Sequence, residues 1–306
     1  MDITLDNVIT NPAFLIAVSS DCTKIAISGE RIVTVFSFPD FRTIGKIKLA
    51  HACSMVFLSD NSSLMILNTT GKAFIWDGTS LEPIGKWPVP RWQERPILYC
   101  GDDRVLWAGY GGIWLYSIKE RTIRKIFASS KDIRICRCEE DSIKCIAMNY
   151  GEAETEVDLL SISLDGSIQQ KARSDIQIIN SFIKSPAWSK DNLIAISTAV
   201  ASKFPLNLVY LLNTTGQVVE QLWIPAAEDN GSFIYCNNLF IKVSVVGAYN
   251  INFYDAHTLE LILKLDGHKL ASYGMDTPPT FAWVAPNNQI LIGSWNKLFV
   301  FNIAQS

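Results

Sequence analysis

A short strand ending, an apolar or aromatic residue followed by a small polar one, recurs seven times along this chain. The occurrences are Phe36-Ser37, Trp76-Asp77, Tyr116-Ser117, Ile162-Ser163, Leu212-Asn213, Tyr254-Asp255 and Phe301-Asn302. Successive spacings are 40, 40, 46, 50, 42 and 47 residues. That period is too long for ankyrin, helical-hairpin or leucine-rich units and accommodates four short antiparallel strands. Although 306 residues would suffice for two average domains, the repeat argues for one closed all-β unit.

The first repeat reads as strands at Phe14 to Val18, Lys24 to Ser28, Ile32 to Ser37 and Thr43 to Ile47, which we label A to D. Strand B recurs as a near-continuous apolar run: Ile25-Ala26-Ile27, Leu64 to Leu67, Val105 to Trp107, Cys145 to Ala147, Leu193 to Ile196, Leu239 to Ile241 and Ile290 to Ile292. Such runs suit strands covered on both faces. The turns that precede them, such as Ser59-Asp60-Asn61 and Pro286-Asn287-Asn288, carry the residues of tight hairpins. No segment shows a helical period. The last repeat stops at strand C, Leu298 to Ile303, while an orphan strand, Asp2 to Leu5, precedes the first. The orphan strand is therefore predicted to complete the last repeat and remove an exposed edge.

In this organisation the chain resembles the WD-repeat-like seven-bladed β-propellers. Trp76-Asp77 matches the family dipeptide and Tyr254-Asp255 approaches it, whereas the Gly-His pair that opens such repeats is absent from the expected places, Gly267-His268 falling in a linker. The resemblance implies an all-β, seven-bladed β-propeller of four-stranded antiparallel blades, closed by the N-terminal strand, as one domain over 1–306. Blades fall near 8–48, 49–90, 91–130, 131–175, 176–224, 225–267 and 268–306 plus 1–7. It also implies a protein-binding role, although fold alone does not fix function.

Composition narrows the partners. A net charge of −3 without a dense run of Lys and Arg provides no footprint for nucleic acid. No run approaches the roughly eighteen apolar residues of a membrane span, and acids stand where a secretory signal needs bases, so a cytoplasmic protein is expected. Seven cysteines with no CxxC spacing read as reduced thiols. No nucleophile elbow, phosphate loop or dinucleotide fingerprint is present, and no cofactor is expected.

Length excesses fall almost entirely in the B-C turns and the D-A linkers, which a meander places on one face. Loops on a rigid frame carry binding groups, so this face is the candidate docking surface for a protein or peptide. Arg91, Trp92 and Arg95 in a Pro-bracketed linker have the residue types of interface anchors; alternatively, Trp87 and Trp92 cap a gap between blades. Tyr110 and Trp295 occupy B-C turns and either rim a channel or pack on their own hairpins. Glu152, Glu154, Glu156 and Asp158 alternate along an extended segment, which places their carboxylates together, for a basic partner or as a charged hairpin edge.

The alternative reading is an enzyme or small anionic ligand binder that uses the channel, with Arg134, Arg137 and Lys184 on inner strands holding the anion. His51, His257 and His268 lie too far apart in the repeat for one zinc site. Cys136, Cys138 and Cys145 share one blade but lack a fourth ligand, and no metal is expected.

Overall fold

The computed structural model describes residues 2–86, 97–139, 142–150, 154–174, 176, 178–179, 181–183, 187–200, 206–225, 233–244 and 249–304. Strand β1 (Ile3–Ile9) is followed by a sheet in plain order, β2 (Leu15–Val18), β3 (Lys24–Ser28), β4 (Ile32–Ser37) and β5 (Thr43–Lys48). The second sheet repeats it with β6 (Ala52–Phe57), β7 (Leu64–Asn68), β8 (Lys72–Trp76) and β9 (Leu81–Lys86). The third holds β10 (Leu98–Tyr99), β11 (Arg104–Ser117), β12 (Thr122–Cys138), β13 (Ser142–Tyr150), β14 (Glu154–Ser163) and β15 (Ile168–Arg173), with β16 (Ile178–Ile179) also on β14. In the fourth, β17 (Ser181–Ile183) and β18 (Ala187–Trp188) both pair with β19 (Ile194–Val200), followed by β20 (Leu206–Leu212) and β21 (Val218–Pro225). The fifth is β22 (Phe233–Cys236), β23 (Leu239–Ser244), β24 (Asn250–Asp255) and β25 (Leu261–Asp266). After a short helix α1 (Gly267–Ser272) comes the sixth, β26 (Pro279–Val284), β27 (Gln289–Ser294) and β28 (Leu298–Ile303), with β1 as its outer strand.

The protein is all-β with antiparallel sheets. The β1–β28 ladder runs from Ile3 opposite Ile303 to Ile9 opposite Leu298, longer than the orphan strand read from the sequence. Two expectations are corrected. The described strands form six sheets, not seven separate four-stranded ones, because β12 continues without a break from the edge of one repeat into the first strand of the next. Its Thr122 end pairs with β11 and its Cys138 end with β13, so the repeats expected at 91–130 and 131–175 share a sheet. Helix α1 also lies where only a linker was expected. Asp266 caps it by accepting a hydrogen bond from the Lys269 N–H at 2.8 Å.

The recurring dipeptide has a local explanation. Its first residue is buried in every instance, from Phe36 to Phe301. Its second ties the following turn: Asp77 accepts from the N–H groups of Thr79 and Ser80 at 2.9 and 2.8 Å, Asn213 from those of Thr215 and Gln217, and Asp255 from those of His257 and Thr258. Ser37, Ser117 and Ser163 do the same with their hydroxyls, accepting from Arg42, Glu120 and Ser167. Asn302, which has no such turn, accepts instead from Gln289 Nε2. Short polar side chains that accept from backbone amides further along stabilise turns, which is why the position is restricted to Asp, Asn and Ser.

The buried residues divide into seven clusters, each shared by two successive repeats. Along β7, Leu64 and Ile66 serve the cluster with the first sheet, while Met65 and Leu67 serve the one with the third. Along β11, Val105 and Trp107 face back as Leu106 and Ala108 face forward. The period of two along a strand thus makes the apolar B runs continuous: both faces are core. The last cluster joins Leu291, Leu298 and Val300 to Ile25 and Ile27 of the first sheet.

Candidate functional site

The turn after the second strand of a repeat carries a large exposed aromatic residue in three different sheets. Trp295, between β27 and β28, is 60% exposed; Tyr249, just before β24, is 38% exposed; and Tyr150, at the end of β13, is 36% exposed. Trp295 projects because its turn is closed beneath it: Ser294 donates its N–H to Lys297 O at 2.8 Å, and Ser294 Oγ accepts from the Lys297 N–H. Asn296 Nδ2 reaches Asp276 Oδ1 at 3.2 Å and Lys297 Nζ reaches Gly274 O, which fixes the turn to the segment after α1. The indole meets Phe14 edge to face, with ring centroids 6.4 Å apart. Tyr150 donates its hydroxyl to Met148 Sδ at 3.6 Å.

The other sequence-derived candidates fall as follows. Arg91, Trp92, Arg95 and Lys184 lie outside the described residues, as do Trp87 and Glu152. Tyr110 is within β11, opposite Asp132, and Glu154 begins β14, opposite Ile179. Glu156 and Asp158 share a network of cations from β12, two strands away, and from the neighbouring β15. Lys131 Nζ lies 2.7 Å from Asp158 Oδ2 and 3.7 Å from Glu156; Lys171 lies 3.4 Å from Asp158, and Arg173 3.1 Å from Glu156. Asp158 is 3% exposed as a side chain. Burial alone raises its pKa, but the hydrogen bond and charge of Lys131, with Lys171 behind, outweigh it and hold the carboxyl below the ordinary value. Glu156 and Asp158 are neutralised from within their own sheet, and the partners that do so, Lys131, Lys171 and Arg173, were invisible in a reading confined to one segment.

A cavity of about 610 Å³ lies where β2, β6, β10, β12, β18, β22 and β26 face one another. From β2 through β6, β10, β12 and β18 to β22 these strands pack on one another in succession, and β26 meets β2 on one side and β23 on the other. Arg134 and Arg137 line it together with Lys190, which sequence reasoning missed because it sits in the turn after β18 and not on an inner strand. Strict alternation would put residues three apart on opposite faces of a strand. The register of β12 against β13 slips between Ile135 and Arg137, and this bulge turns both guanidinium groups to the same side. Arg134 Nε contacts Asp132 at 3.3 Å; Arg137 Nη1 donates to Ser189 O at 3.2 Å and lies 3.6 Å from Glu139.

No family model matches the chain, and no curated protein does.

Among the described residues no group of three or more His, Cys, Asp and Glu side chains is arranged to hold a metal. His51 is in the turn before β6, His257 is 3.6 Å from Asp191, and His268 is in α1. None of the seven cysteines is in a disulfide. Burial pushes Cys136 well up and Cys145 up to about 12, so neither is a ready thiolate. No described helix is long and apolar enough to cross a membrane.

Proposed function

We propose that the chain is a non-catalytic protein-interaction module, a seven-bladed propeller-like ring that docks a protein or peptide on the end carrying its B-C turns and D-A linkers. The observation that carries this reading is the repeated exposure of Trp295, Tyr249 and Tyr150 at equivalent places on three sheets. Aromatic side chains of this size lose little conformational entropy on docking and dominate the energetic centres of interfaces. The ring reading is supported by the core clusters of the described residues, the last of which returns to the first sheet, and by a cavity lined from every repeat.

The test is quantitative affinity purification of the intact chain from the cells that make it, with wild type beside the Y150A/Y249A/W295A variant and a His257→Ala control. His257 lies in the turn between β24 and β25, at the opposite end of its sheet. A partner held by wild type and the control but lost by the aromatic variant supports the proposal. Equal recovery by all three, or loss only in the control, contradicts it.

A further inference from the structure

We infer that the cavity binds a single-chain aliphatic carboxylate, its headgroup on Arg134, Arg137 and Lys190 and its chain among the apolar first strands. This site lies inside the ring and is separate from the docking end proposed above.

The volume, about 610 Å³, is that of a small-molecule site. Its wall is largely apolar, with Met55, Leu98, Trp188, Phe233 and Phe281 among the contributors, and among the described residues no carboxylate side chain lines it. Two of the three cations share one end of this wall. Arg137 stands one residue before the end of β12 and Lys190 two residues past the end of β18, so the charge gathers where both strands leave the cavity. Arg134 stands three residues further in along β12, and the bulge puts it on the same side as Arg137, where a headgroup between them meets both. Asp132 engages only Nε of Arg134, and Ser189 O and Glu139 engage only Nη1 of Arg137, which leaves other donors of each five-donor fork for an anion. Lys190 is exposed and has no ion-pair partner among the described residues. A second hollow of about 410 Å³, lined by Lys190, Tyr235, Cys236, Asn237 and Asn238, adjoins this end. The site is thus asymmetric, cationic and polar at one end and apolar through its body. A multiply charged metabolite would leave its charge against apolar wall, and a neutral hydrocarbon would leave the cations without a counter-charge. A chain with one terminal carboxylate satisfies both ends.

Isothermal titration calorimetry of the intact protein with dodecanoate, dodecan-1-ol and acetate tests this. Saturable one-to-one binding of dodecanoate, with acetate silent and dodecan-1-ol at least tenfold weaker, is expected, since a charge-assisted headgroup contact of about 1.4 kcal/mol is worth that factor. The R134Q/R137Q variant is expected to lose roughly tenfold in dodecanoate affinity while its affinity for dodecan-1-ol stays unchanged. Should that variant not fold, Lys190→Gln on the exposed turn decides, with a loss of about threefold expected for a partly screened charge. Absence of dodecanoate binding, equal affinity for the alcohol, or cation variants that bind dodecanoate as wild type does would each overturn the inference.

Discussion

Trp76 lays the edge of its indole against Gly45: a Cβ built on Gly45 would stand 2.6 Å from Trp76 Cζ2 and 3.0 Å from Cη2. Gly45 is on β5, the outer strand of the first sheet, and Trp76 ends β8 in the second. The missing side chain is therefore what lets the two sheets close over their shared cluster. Gly45→Ala is expected to destabilise by about 1–3 kcal/mol, the cost of overpacking against a rigid ring. Urea unfolding of the pure variant beside wild type measures it; an unchanged midpoint would mean the sheets separate freely there.

Asp158 gathers Lys131 from β12, two strands away, and Lys171 and Arg173 from the neighbouring β15. Asp158→Asn removes the charge and leaves three cations close together, with an expected loss of about 1.5–3 kcal/mol at neutral pH. The carboxyl is held below its ordinary value in the folded state. Its stabilisation is therefore present above the unfolded value of about 3.9 and is lost as pH falls through the folded one. The gap between wild type and variant in chemical unfolding should accordingly narrow on acidification. A gap independent of pH would show that packing and not charge is at work.

Asp60 illustrates the same linkage in a turn. Its carboxylate accepts from the hydroxyls of Ser63 and Ser62 at 2.6 and 2.9 Å and from both backbone amides. Burial raises its pKa, yet these hydrogen bonds outweigh it and bring it down to about 2. Carbon NMR titration should find Asp60 near that value, and Ser63→Ala should move it upward. An ordinary carboxylate value in wild type would contradict the turn geometry.

The pairing of β1 with β28 covers an edge that would otherwise expose the backbone beside Phe299 and Phe301. Deletion of residues 2–9 is expected to lower the melting temperature and to yield concentration-dependent oligomers on size exclusion, because an uncovered edge strand templates pairing with another chain. A deletion variant that stays monomeric with an unchanged melt would show the latch to be dispensable.

Much of this was legible in the sequence because the repeat writes the same physics several times. Alternate residues of Leu64 to Leu67 feed two clusters, so an all-apolar B strand announced burial on both faces, and the Asp77 and Asn213 positions announced turns. The six-sheet count was not legible: nothing in Thr122 to Cys138 signals that two strands run on as one. Nor was the alignment of Arg134 with Arg137, because a bulge at Cys136 is a property of pairing with β13, which a period-two reading of one strand does not contain. The neutralised state of Glu156 and Asp158 escaped for a related reason, since their partners come from β12 and β15. Tyr249 and Tyr150 were open to recognition, since both stand beside B-C turns as Tyr110 and Trp295 do, but a reading by loop length does not single out the aromatic residue at a strand end.

Hydroxyl-radical footprinting of the captured complex against the free protein tests the proposed docking end most directly. Protection of Trp295, Tyr249 and Tyr150, with Tyr235 and Trp223 unchanged, is the expected result. Protection of Tyr235 beside the turn between β22 and β23, or of Trp223 on the outer strand β21, with Trp295 still reactive, would contradict it.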